Sequence, residues 1–313
     1  MKIAVIGTGI IGLSHLKAIA LSKDFTLCAV CDINEDAAKA SAHQYGVPYF
    51  LDYRDIPDKT EAEAVILNLP HWLHCEVTVY FLNHGIHVLV EKPMANTRAE
   101  CDQMLNASIK SGAKLAVGHV QRFFQANRYI KDVVQNKSFG QLCMITEFRT
   151  IDYFAQSRPK WFLDKTLSGG GIVMNYGAHI LDKVFYITDS RPASLQAVSG
   201  NMINDASIEG HAQIHMIMDN QVSVSITFCG YTNSGYETVY YFTKGALKVV
   251  NGTQLYSRKD DCWHEILFDR PDNHLLLQLD EFYKLVTDQE SETPPCDYCA
   301  DIITTIEKIY AQS

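Results

Sequence analysis

Two side chains capable of acid–base chemistry, a lysine and a histidine, stand where the chain could present them to a ligand. Lys92 lies between Glu91 and Pro93 at the end of a short apolar run, which is typical of a strand tip. An ammonium group there can hold a substrate hydroxyl and stabilise the alkoxide that forms as hydride leaves. A surface lysine paired with an acid gives the same pattern, so both interpretations stay open for Lys92.

The histidine is His179, on a segment that begins with three glycines at residues 169–171. Asn175 and His179 are four residues apart, so on a helix they share one face. A histidine that faces a cleft is a natural proton acceptor near neutral pH. The alternative is a histidine that caps its helix or packs under a sheet, and the segment alone does not separate the two.

A glycine-rich turn near the start of the chain predicts a phosphate site. Residues 3–6 are an apolar run of strand formers, followed by GTGIIG at residues 7–12 and then by apolar residues at helical spacing. Gly7 permits the tight turn, Gly9 lets the backbone approach a pyrophosphate, and Gly12 lets the helix pack closely on the strand. The start of the helix would offer N–H groups and a positive dipole end to the phosphates.

Asp32 makes this glycine pattern more specific. Residues 25–31 predict a second strand, and Asp32 follows it, twenty residues after Gly12. A carboxylate there can hydrogen-bond both ribose hydroxyls of an adenosine half, and it repels a 2′-phosphate. We therefore expect NAD as cofactor, with NADP disfavoured. The alternative is a flavodoxin-like turn with a solvated aspartate.

The elements that must position these groups alternate between strand and helix over residues 1–120. Further strands are predicted at residues 47–50, 64–69, 86–90 and 114–119, with helices at 35–45, 71–84 and 97–112. This order predicts a doubly wound parallel sheet with right-handed crossovers, whose ligands lie beyond the carboxyl ends of the strands. Polar or turn-forming residues at those ends are Asn68, Leu69, Pro70, His71, His74, Glu91, Lys92, His119, Gln121 and Arg122.

After residue 120 the pattern changes to long runs of alternating residues. These runs cover residues 142–152, 193–200, 211–218, 222–229, 237–243, 246–250 and 254–257, and helices are predicted at 124–135, 172–186, 274–289 and 298–311. We expect an α+β domain over residues 121–313 with an open, largely antiparallel sheet, after a nucleotide-binding domain over residues 1–120. The C-terminal helix could pack back on the first domain.

Composition narrows the classes of partner and location. The net charge of −9 argues against a nucleic-acid partner, because phosphate binding favours a basic surface. We expect no membrane span, since no apolar run approaches eighteen residues, and no secretory leader. The nine scattered cysteines indicate a reducing, cytoplasmic location without structural disulfides. The Cys296–Cys299 spacing lacks a second pair, so we expect no metal site.

Together these motifs resemble the Gfo/Idh/MocA oxidoreductase family along essentially the whole chain. The residues that carry the resemblance are GTGIIG at residues 7–12, Asp32, Glu91-Lys92-Pro93, Arg122-Phe123, Trp161 with the triple glycine, and Asn175-Tyr176-Gly177-Ala178-His179. The resemblance implies a Rossmann domain followed by a domain with an open antiparallel sheet. It also implies hydride transfer between nicotinamide and a carbon of a sugar, inositol or related polyol, with Lys92 and His179 as the catalytic pair. The Lys92–Pro93 peptide bond is often cis in relatives.

Two positions depart from the family pattern. Relatives commonly have an aspartate where this chain has Asn175, and an asparagine where it has Val120. An amide can orient a hydroxyl or an imidazole, but it supplies no charge to stabilise an imidazolium. The departure at Asn175 therefore bears on the strength of the proton relay and not on its geometry. At Val120, backbone groups could hold the nicotinamide carboxamide instead.

These considerations give a set of expected contacts. Expected cofactor contacts are Gly7, Thr8, Gly9, Ile10, Ile11, Gly12, Asp32, Ile33, Asn68, Leu69, Pro70, His74, Glu91, Lys92 and Arg122. Expected substrate contacts are Lys92, Tyr153, Trp161, Lys165, Asn175 and His179, although the aromatic residues could equally belong to a core. Two alternatives stay open: an NAD-binding regulator without turnover, and a reductase of a non-sugar carbonyl or a pigment.

One face of the second predicted sheet suggests self-association. Val224, Ile226 and Phe228 alternate along one strand and so share a face. Large apolar faces of open sheets seldom stay exposed. We therefore expect a homodimer or homotetramer formed through this sheet.

Overall fold

The computed structural model describes residues 1–203, 206–268 and 273–312, which fall into two compact units. The first unit comprises Met1–Val120 and His274–Ile303, and the second comprises Gln121–Asn273 and Thr304–Ser313. The chain thus returns to the first unit after its second sheet is complete.

The first unit is built on a parallel sheet of six described strands. Its elements are β1 (Lys2–Ile6), α1 (Ile10–Leu21), β2 (Thr26–Cys31), α2 (Glu35–Tyr45), β3 (Tyr49–Phe50), α3 (Asp55–Lys59), β4 (Ala64–Leu67), α4 (His74–Asn83), β5 (His87–Val90), α5 (Arg98–Ser111) and β6 (Leu115–Val117). A 3₁₀ turn, His71–Leu73, leads into α4. The strand order is β3-β2-β1-β4-β5-β6, which confirms the predicted doubly wound sheet.

Local chemistry explains where several of these helices begin. The Thr97 side chain accepts from the Glu100 N–H while the Glu100 carboxylate accepts from the Thr97 N–H, and this capping box begins α5. Asn34 caps α2 in a simpler way, by accepting from the Ala37 N–H. These caps keep the connections short and hold the carboxyl ends of the strands at one edge of the sheet.

The late helix α9 (His274–Val286) completes the core of the first unit. The Phe25 ring stacks on Phe282 with centroids 5.8 Å apart and meets Tyr283 edge-on at 5.6 Å. Leu16 and Ile19 of α1 belong to the same apolar cluster. Burial of these side chains stabilises α1 against the sheet and so supports the glycine turn that precedes it.

The second unit contains a mixed sheet of eight described strands. Its elements are α6 (Gln125–Asn136), β7 (Leu142–Asp152), α7 (Lys165–Ser168), α8 (Ala178–Thr188), β8 (Pro192–Gly200), β9 (His211–Met218), β10 (Ser223–Cys229), β11 (Tyr231–Phe242), β12 (Gly245–Val250), β13 (Gln254–Arg258) and β14 (His264–Ile266). The strand order is β14-β13-β12-β11-β7-β10-β9-β8. The last helix, α10 (Cys296–Tyr310), ends in this unit.

The sheet of the second unit is largely antiparallel, as predicted, but one pairing differs. β10 runs parallel to β7, with Val224 opposite Ile145 and Phe228 opposite Arg149. The reason lies in the connection: the chain leaves β7, crosses through α8, and forms the β8–β9 hairpin before it returns beside β7. Parallel neighbours need such a crossover.

Several predicted boundaries require correction. The helix predicted at residues 172–186 is a π-helical turn, Val173–Gly177, followed by α8, which continues to Thr188. β11 begins at Tyr231 instead of residue 237. The short elements α3, α7 and β14 were not predicted, because segments of three to five residues carry too little periodicity to be recognised.

The predicted exposed face of the second sheet was the wrong face. Val224, Ile226 and Phe228 are at most 1% exposed, so they belong to the core of the unit. The opposite face of β10 carries Ser223, Ser225, Thr227 and Cys229, all half-buried. Alternation identifies two faces of a strand but does not say which one the helices cover.

Candidate functional site

The glycine turn between β1 and α1 has the backbone that close packing requires. Gly7 has φ 89°, and a Cβ there would lie 2.3 Å from the Asn68 carbonyl oxygen. A Cβ on Gly12 would lie 2.0 Å from the Gly7 carbonyl oxygen. A Cβ on Gly9, by contrast, would meet nothing within 4 Å. Gly7 and Gly12 are therefore required by the fold, whereas Gly9 faces open space.

The Asp32 carboxylate is fixed beside this turn. Oδ2 accepts from the Thr8 N–H at 2.7 Å and from the Thr8 hydroxyl at 3.0 Å, and Oδ1 accepts from the Asn34 N–H at 2.9 Å. Among the apolar residues predicted to contact the cofactor, Ile10 is 85% exposed and Ile33 is 93% exposed. The turn thus presents a held carboxylate together with accessible backbone and side chains.

The loops that follow β4 and β5 are joined by His74. The Nδ1 atom of this buried imidazole lies 2.7 Å from the Pro93 carbonyl oxygen, and Nε2 lies 2.8 Å from the Leu69 carbonyl oxygen. The peptide bond between Lys92 and Pro93 is cis, as the resemblance implies. One side chain on α4 therefore holds the two loops that carry Asn68 and Lys92.

Glu91 and His15 form a pair that the sequence analysis missed. His15 Nε2 lies 3.0 Å from Glu91 Oε1, and the Lys92 N–H donates to Glu91 Oε2 at 3.2 Å. Burial raises the pKa of Glu91, but His15 and Lys92 outweigh it and hold that pKa below its ordinary value. Gly118 leaves room for the carboxylate, since a Cβ there would lie 3.0 Å from Oε1. The available signal was the position of His15 on the buried stripe of α1, beside Leu16.

In the second unit, the triple glycine makes room for an acceptor at the start of a helix. The Glu209 carboxylate accepts from the Gly171 N–H at 2.8 Å and from the Val173 N–H at 2.8 Å. A Cβ on Gly171 would lie 2.1 Å from the Glu209 carbonyl oxygen, and one on Gly170 would lie 1.9 Å from the Tyr310 hydroxyl. Only glycine fits at these positions, and the sequence contains no local signal for the role of Glu209.

The π-helical turn places the predicted polar residues near this capped start. Asn175 is 7% exposed, its N–H donates to the Gly171 carbonyl oxygen at 3.1 Å, and its side chain lies near the Tyr153 hydroxyl. His179 lies in the first turn of α8 and is half-buried. Burial raises the pKa of Tyr153 well above its ordinary range, so this hydroxyl stays protonated.

The other residues predicted to contact the substrate differ in their exposure to solvent. Tyr153 is fully buried, with its ring 6.2 Å from that of Tyr176. Trp161 is half-buried and stacks on Phe162 with centroids 3.7 Å apart. Lys165 is exposed, with Nζ 5.6 Å from the centre of the Tyr310 ring. Tyr153 therefore acts first as a core residue of its unit.

Arg122, predicted to contact the cofactor, is held by a carboxylate of its own unit. Its Nη2 lies 2.6 Å from Asp182 Oδ1, and both side chains are at most 9% exposed. The guanidinium also lies 5.1 Å from the centre of the Tyr186 ring. These contacts fix the 3₁₀ turn Val120–Phe123 against α8.

The described residues also bear on disulfides, metal sites and membrane-spanning helices. All nine cysteines are free thiols. Within the described ranges, no group of three or more His, Cys, Asp or Glu side chains is arranged to hold a metal ion. None of the described helices combines the length and hydropathy needed to cross a membrane.

Comparison with protein families gives two matches that together cover most of the chain. Residues 1–119 match the model described as "Oxidoreductase family, NAD-binding Rossmann fold". Residues 127–248 match the model of the GFO/IDH/MocA C-terminal domain. The two matches lie in the order that the sequence analysis expects.

Two curated relatives each match a part of the chain. The chain is 26% identical over 234 residues to 1-carboxy-3-chloro-3,4-dihydroxycyclohexa-1,5-diene dehydrogenase of Comamonas testosteroni, covering 74% of this chain and 59% of that protein. It is 30% identical over 149 residues to inositol 2-dehydrogenase of Salmonella typhimurium, covering 46% of this chain and 44% of that protein. The chain thus spans about half the length of these two curated relatives.

Among solved structures, the aldose–aldose oxidoreductase of Caulobacter crescentus has a similar fold. The TM-score is 0.91 at 22% sequence identity, with 100% of this chain and 97% of that chain covered. At this level of identity the likeness concerns the fold.

Proposed function

Since the chain belongs to the Gfo/Idh/MocA oxidoreductase family, we propose that it is an NAD-dependent dehydrogenase of a sugar, inositol or related polyol. The reaction would transfer hydride between nicotinamide and a secondary alcohol or its ketone. The observation that carries the proposal is the convergence of Gly9, Asp32, Asn68 and Lys92 at the carboxyl ends of four neighbouring strands. This edge is where open parallel sheets bind their ligands.

The residues of the first unit fit a dinucleotide. Gly9 leaves space for a pyrophosphate beside the start of α1, where backbone N–H groups are available. The Asn68 side-chain oxygen is buried and has no hydrogen-bond partner in the described structure, so it can accept from a carboxamide. The Asp32 carboxylate suits a free ribose hydroxyl and disfavours a 2′-phosphate, which supports NAD over NADP.

Nicotinamide, when bound, supplies the hydride acceptor, and the protein handles the proton and the developing charge. We assign to the His179 imidazole the removal of the hydroxyl proton, and to Lys92 Nζ the stabilisation of the oxygen that is left. Asn175 would orient a neighbouring hydroxyl through its amide. Glu91, held by His15, accepts from the Lys92 N–H and so restricts the backbone that carries the ammonium group.

The names of two relatives support the substrate class. One curated relative is an inositol 2-dehydrogenase, and one solved structure is an aldose–aldose oxidoreductase. Both names refer to polyhydroxylated substrates, which agrees with the proposed oxidation of a secondary alcohol.

A screen of sugars, amino sugars and inositols with NAD and NADP in parallel tests the proposal. Lys92→Ala and His179→Ala should each lower turnover by about 10²–10⁴-fold while NADH still binds. Lys110→Ala, an exposed lysine on α5, serves as the matched control and should keep full turnover. Full turnover in either site variant would overturn the assignment.

A regulator that binds NAD without turnover is the second candidate. It is favoured by Asn175, which supplies no negative charge where relatives commonly have a carboxylate. Under this alternative, NADH fluorescence would change on binding, but no polyol in the screen would be oxidised.

We further propose a cytoplasmic homodimer or homotetramer that pairs the outer face of the second sheet. Met144, Phe148 and Val198 lie on this face and are 36%, 50% and 69% exposed. The free thiols agree with a reducing compartment. Phe148→Asp should lower the molar mass measured by light scattering, whereas Ile109→Asp, at an 80% exposed position on α5, should not. An unchanged mass in Phe148→Asp would contradict this interface.

A further inference from the structure

Arg158, in the segment between β7 and α7, is a cation without a counter-ion among the residues that the structure describes. Its guanidinium carbon lies 4.1 Å from the centre of the Tyr153 ring and 5.1 Å from that of Phe162. No carboxylate of the described residues lies within ion-pair distance of it, and its buried Nε has no hydrogen-bond partner there. A buried donor of this kind indicates an acceptor that the protein itself does not provide.

Buried cations of the same unit, by contrast, are neutralised. Arg122 pairs with Asp182 at 2.6 Å, and Lys183 pairs with Glu147 at 2.8 Å. The unit therefore supplies carboxylates where a cation is structural. Arg158 departs from that arrangement.

Glu209, a carboxylate that acts on the Tyr153 hydroxyl beside Arg158, is already engaged in hydrogen bonds. Glu209 and Arg158 both act on the Tyr153 hydroxyl, Glu209 raising its pKa and Arg158 lowering it. The Glu209 carboxylate, however, accepts from the Gly171 and Val173 N–H groups and from the Tyr310 hydroxyl. Its charge is thus directed to the start of the helix and does not neutralise Arg158.

A second guanidinium, that of Arg149, adds to the positive electrostatic potential near Tyr176. Arg149, on β7, lies 4.1 Å from the centre of the Tyr176 ring and 4.8 Å from that of Tyr236, and it has no ion pair with a described residue. Tyr176 directly follows Asn175. Two uncompensated cations therefore flank the turn that carries a predicted substrate contact.

We propose that Arg158 binds an oxyanion group of the substrate, a carboxylate or a phosphate, so that the preferred substrates are acidic sugars or acidic polyols. This inference rests on the proposed function and specifies its substrate class. Tyr153 connects the two parts of the site, because the guanidinium lies on its ring and the Asn175 amide lies near its hydroxyl. The planar guanidinium favours two parallel hydrogen bonds to an oxyanion, and Tyr153 and Phe162 limit its orientation.

The experiment compares acidic sugars with their neutral parents on the NAD-loaded protein. The pairs are glucuronate against glucose and glucose 6-phosphate against glucose, assayed by NADH formation and, independently, by calorimetric binding to the NADH complex. We expect kcat/KM and affinity to be about 10–100-fold higher for at least one acidic member, since hydrogen bonds to a charged group contribute about 1.5–3 kcal/mol. The two pairs distinguish a carboxylate from a phosphate.

Variants separate recognition from folding. Arg158→Gln should lower the acidic-to-neutral ratio of kcat/KM by about 10–100-fold, mainly through KM, and Arg158→Lys should restore part of it. Lys160→Gln removes an exposed charge two residues away and should leave the ratio unchanged. The melting temperature and NADH affinity of each variant verify that it is folded.

Two outcomes would overturn the inference. One is a wild-type protein that prefers the neutral parent in both pairs, which would leave the proposed dehydrogenase function standing. The other is an acidic preference that Arg158→Gln does not change. If NADH binds and no sugar is oxidised, the proposed function fails, and the calorimetric comparison still decides the role of Arg158.

Discussion

The Tyr310 hydroxyl donates to Glu209 Oε1 across 2.9 Å and, through its oxygen, accepts from the Met174 N–H at 3.1 Å. A residue near the carboxyl end of the chain thus helps to cap the helix that carries Asn175 and His179. Glu209 lies 38 positions after Gly171 in the sequence, and Tyr310 lies 136 positions after Met174. The start of this helix is held by contacts that only the folded unit creates.

Removing the cap should lower turnover more than cofactor affinity. Glu209→Ala leaves the Gly171 and Val173 N–H groups without an acceptor, at about 1–3 kcal/mol for each buried donor. We expect a lower melting temperature and a reduced kcat, with NADH affinity unchanged because the glycine turn lies in the first unit. Calorimetry, NADH titration and steady-state kinetics measure the three quantities.

Tyr310→Phe is the milder comparison, since it keeps the Glu209 carboxylate and removes only the hydroxyl that donates to it and accepts from the Met174 N–H. It should cost about 0.5–1.5 kcal/mol for each of the two lost hydrogen bonds. Loss of NADH affinity in Glu209→Ala with intact turnover would contradict the positioning role.

Substitution by alanine should have different effects at Gly9 and Gly12 of the glycine turn. In Gly12→Ala the new Cβ would lie 2.0 Å from the Gly7 carbonyl oxygen, so we expect strong destabilisation. In Gly9→Ala the Cβ meets no protein atom within 4 Å, so the melting temperature should stay near that of the wild type while NADH affinity falls. Differential scanning fluorimetry with and without NADH separates the two effects. Unchanged NADH affinity in Gly9→Ala would place the pyrophosphate elsewhere.

Removing one partner of the buried ion pair between Lys183 and Glu147 should destabilise the protein more than removing both partners. Lys183 Nζ donates to Glu147 Oε2 at 2.8 Å, to the Tyr236 hydroxyl at 2.6 Å and to Thr238 Oγ1 at 2.7 Å. Lys183→Met leaves an unpaired buried carboxylate, which should lower the free energy of unfolding by about 3–5 kcal/mol, and adding Glu147→Leu should restore much of it. Denaturant titration measures both.

Lys248→Met provides the matched control on the same sheet. Lys248 Nζ lies 3.6 Å from Glu237 Oε2, and Glu237 is 47% exposed in its side chain. The Lys248 side chain is 21% exposed, and a long, partly exposed ion pair of this kind contributes about 0–1 kcal/mol. Equal losses in the two lysine variants would show that burial does not govern the effect.

His74 should make the stability of the first unit fall in mild acid. Burial lowers the pKa of His74 below its ordinary value, against the opposing influence of the Leu69 and Pro93 carbonyl oxygens. The unfolded chain therefore protonates His74 near pH 6.5, whereas the folded chain does so only at a lower pH. The stability that neutral His74 contributes is thus present above about pH 6.5 and is lost as the pH falls through the folded pKa.

Melting temperatures between pH 8 and pH 5 test this expectation for the wild type, His74→Gln and His84→Gln. The decline on acidification should be shallower in His74→Gln than in the wild type. His84→Gln replaces an exposed histidine and is the matched control, and its melting temperatures should follow those of the wild type. A wild-type slope in His74→Gln would show that other groups cause the decline.

Features with a local or periodic signal could be predicted from the amino-acid sequence alone. The turn with Gly7, Gly9 and Gly12, the capping box of Thr97 and Glu100, and the alternation of strands and helices each follow from neighbouring residues. They were enough to predict the parallel sheet and the order of the two family regions. The same local signals identified Lys92 and His179 as candidates.

The groups that surround these candidates could not be predicted, because they come from residues that folding brings together. The pairing of His15 with Glu91, the cap formed by Glu209, and the uncompensated charge of Arg158 depend on residues that are distant in sequence. Which face of β10 is buried, and Val224 with it, likewise depends on which side of the sheet the helices cover. Periodicity specifies that a strand has two faces, whereas packing selects the buried one and brings distant side chains within hydrogen-bond distance.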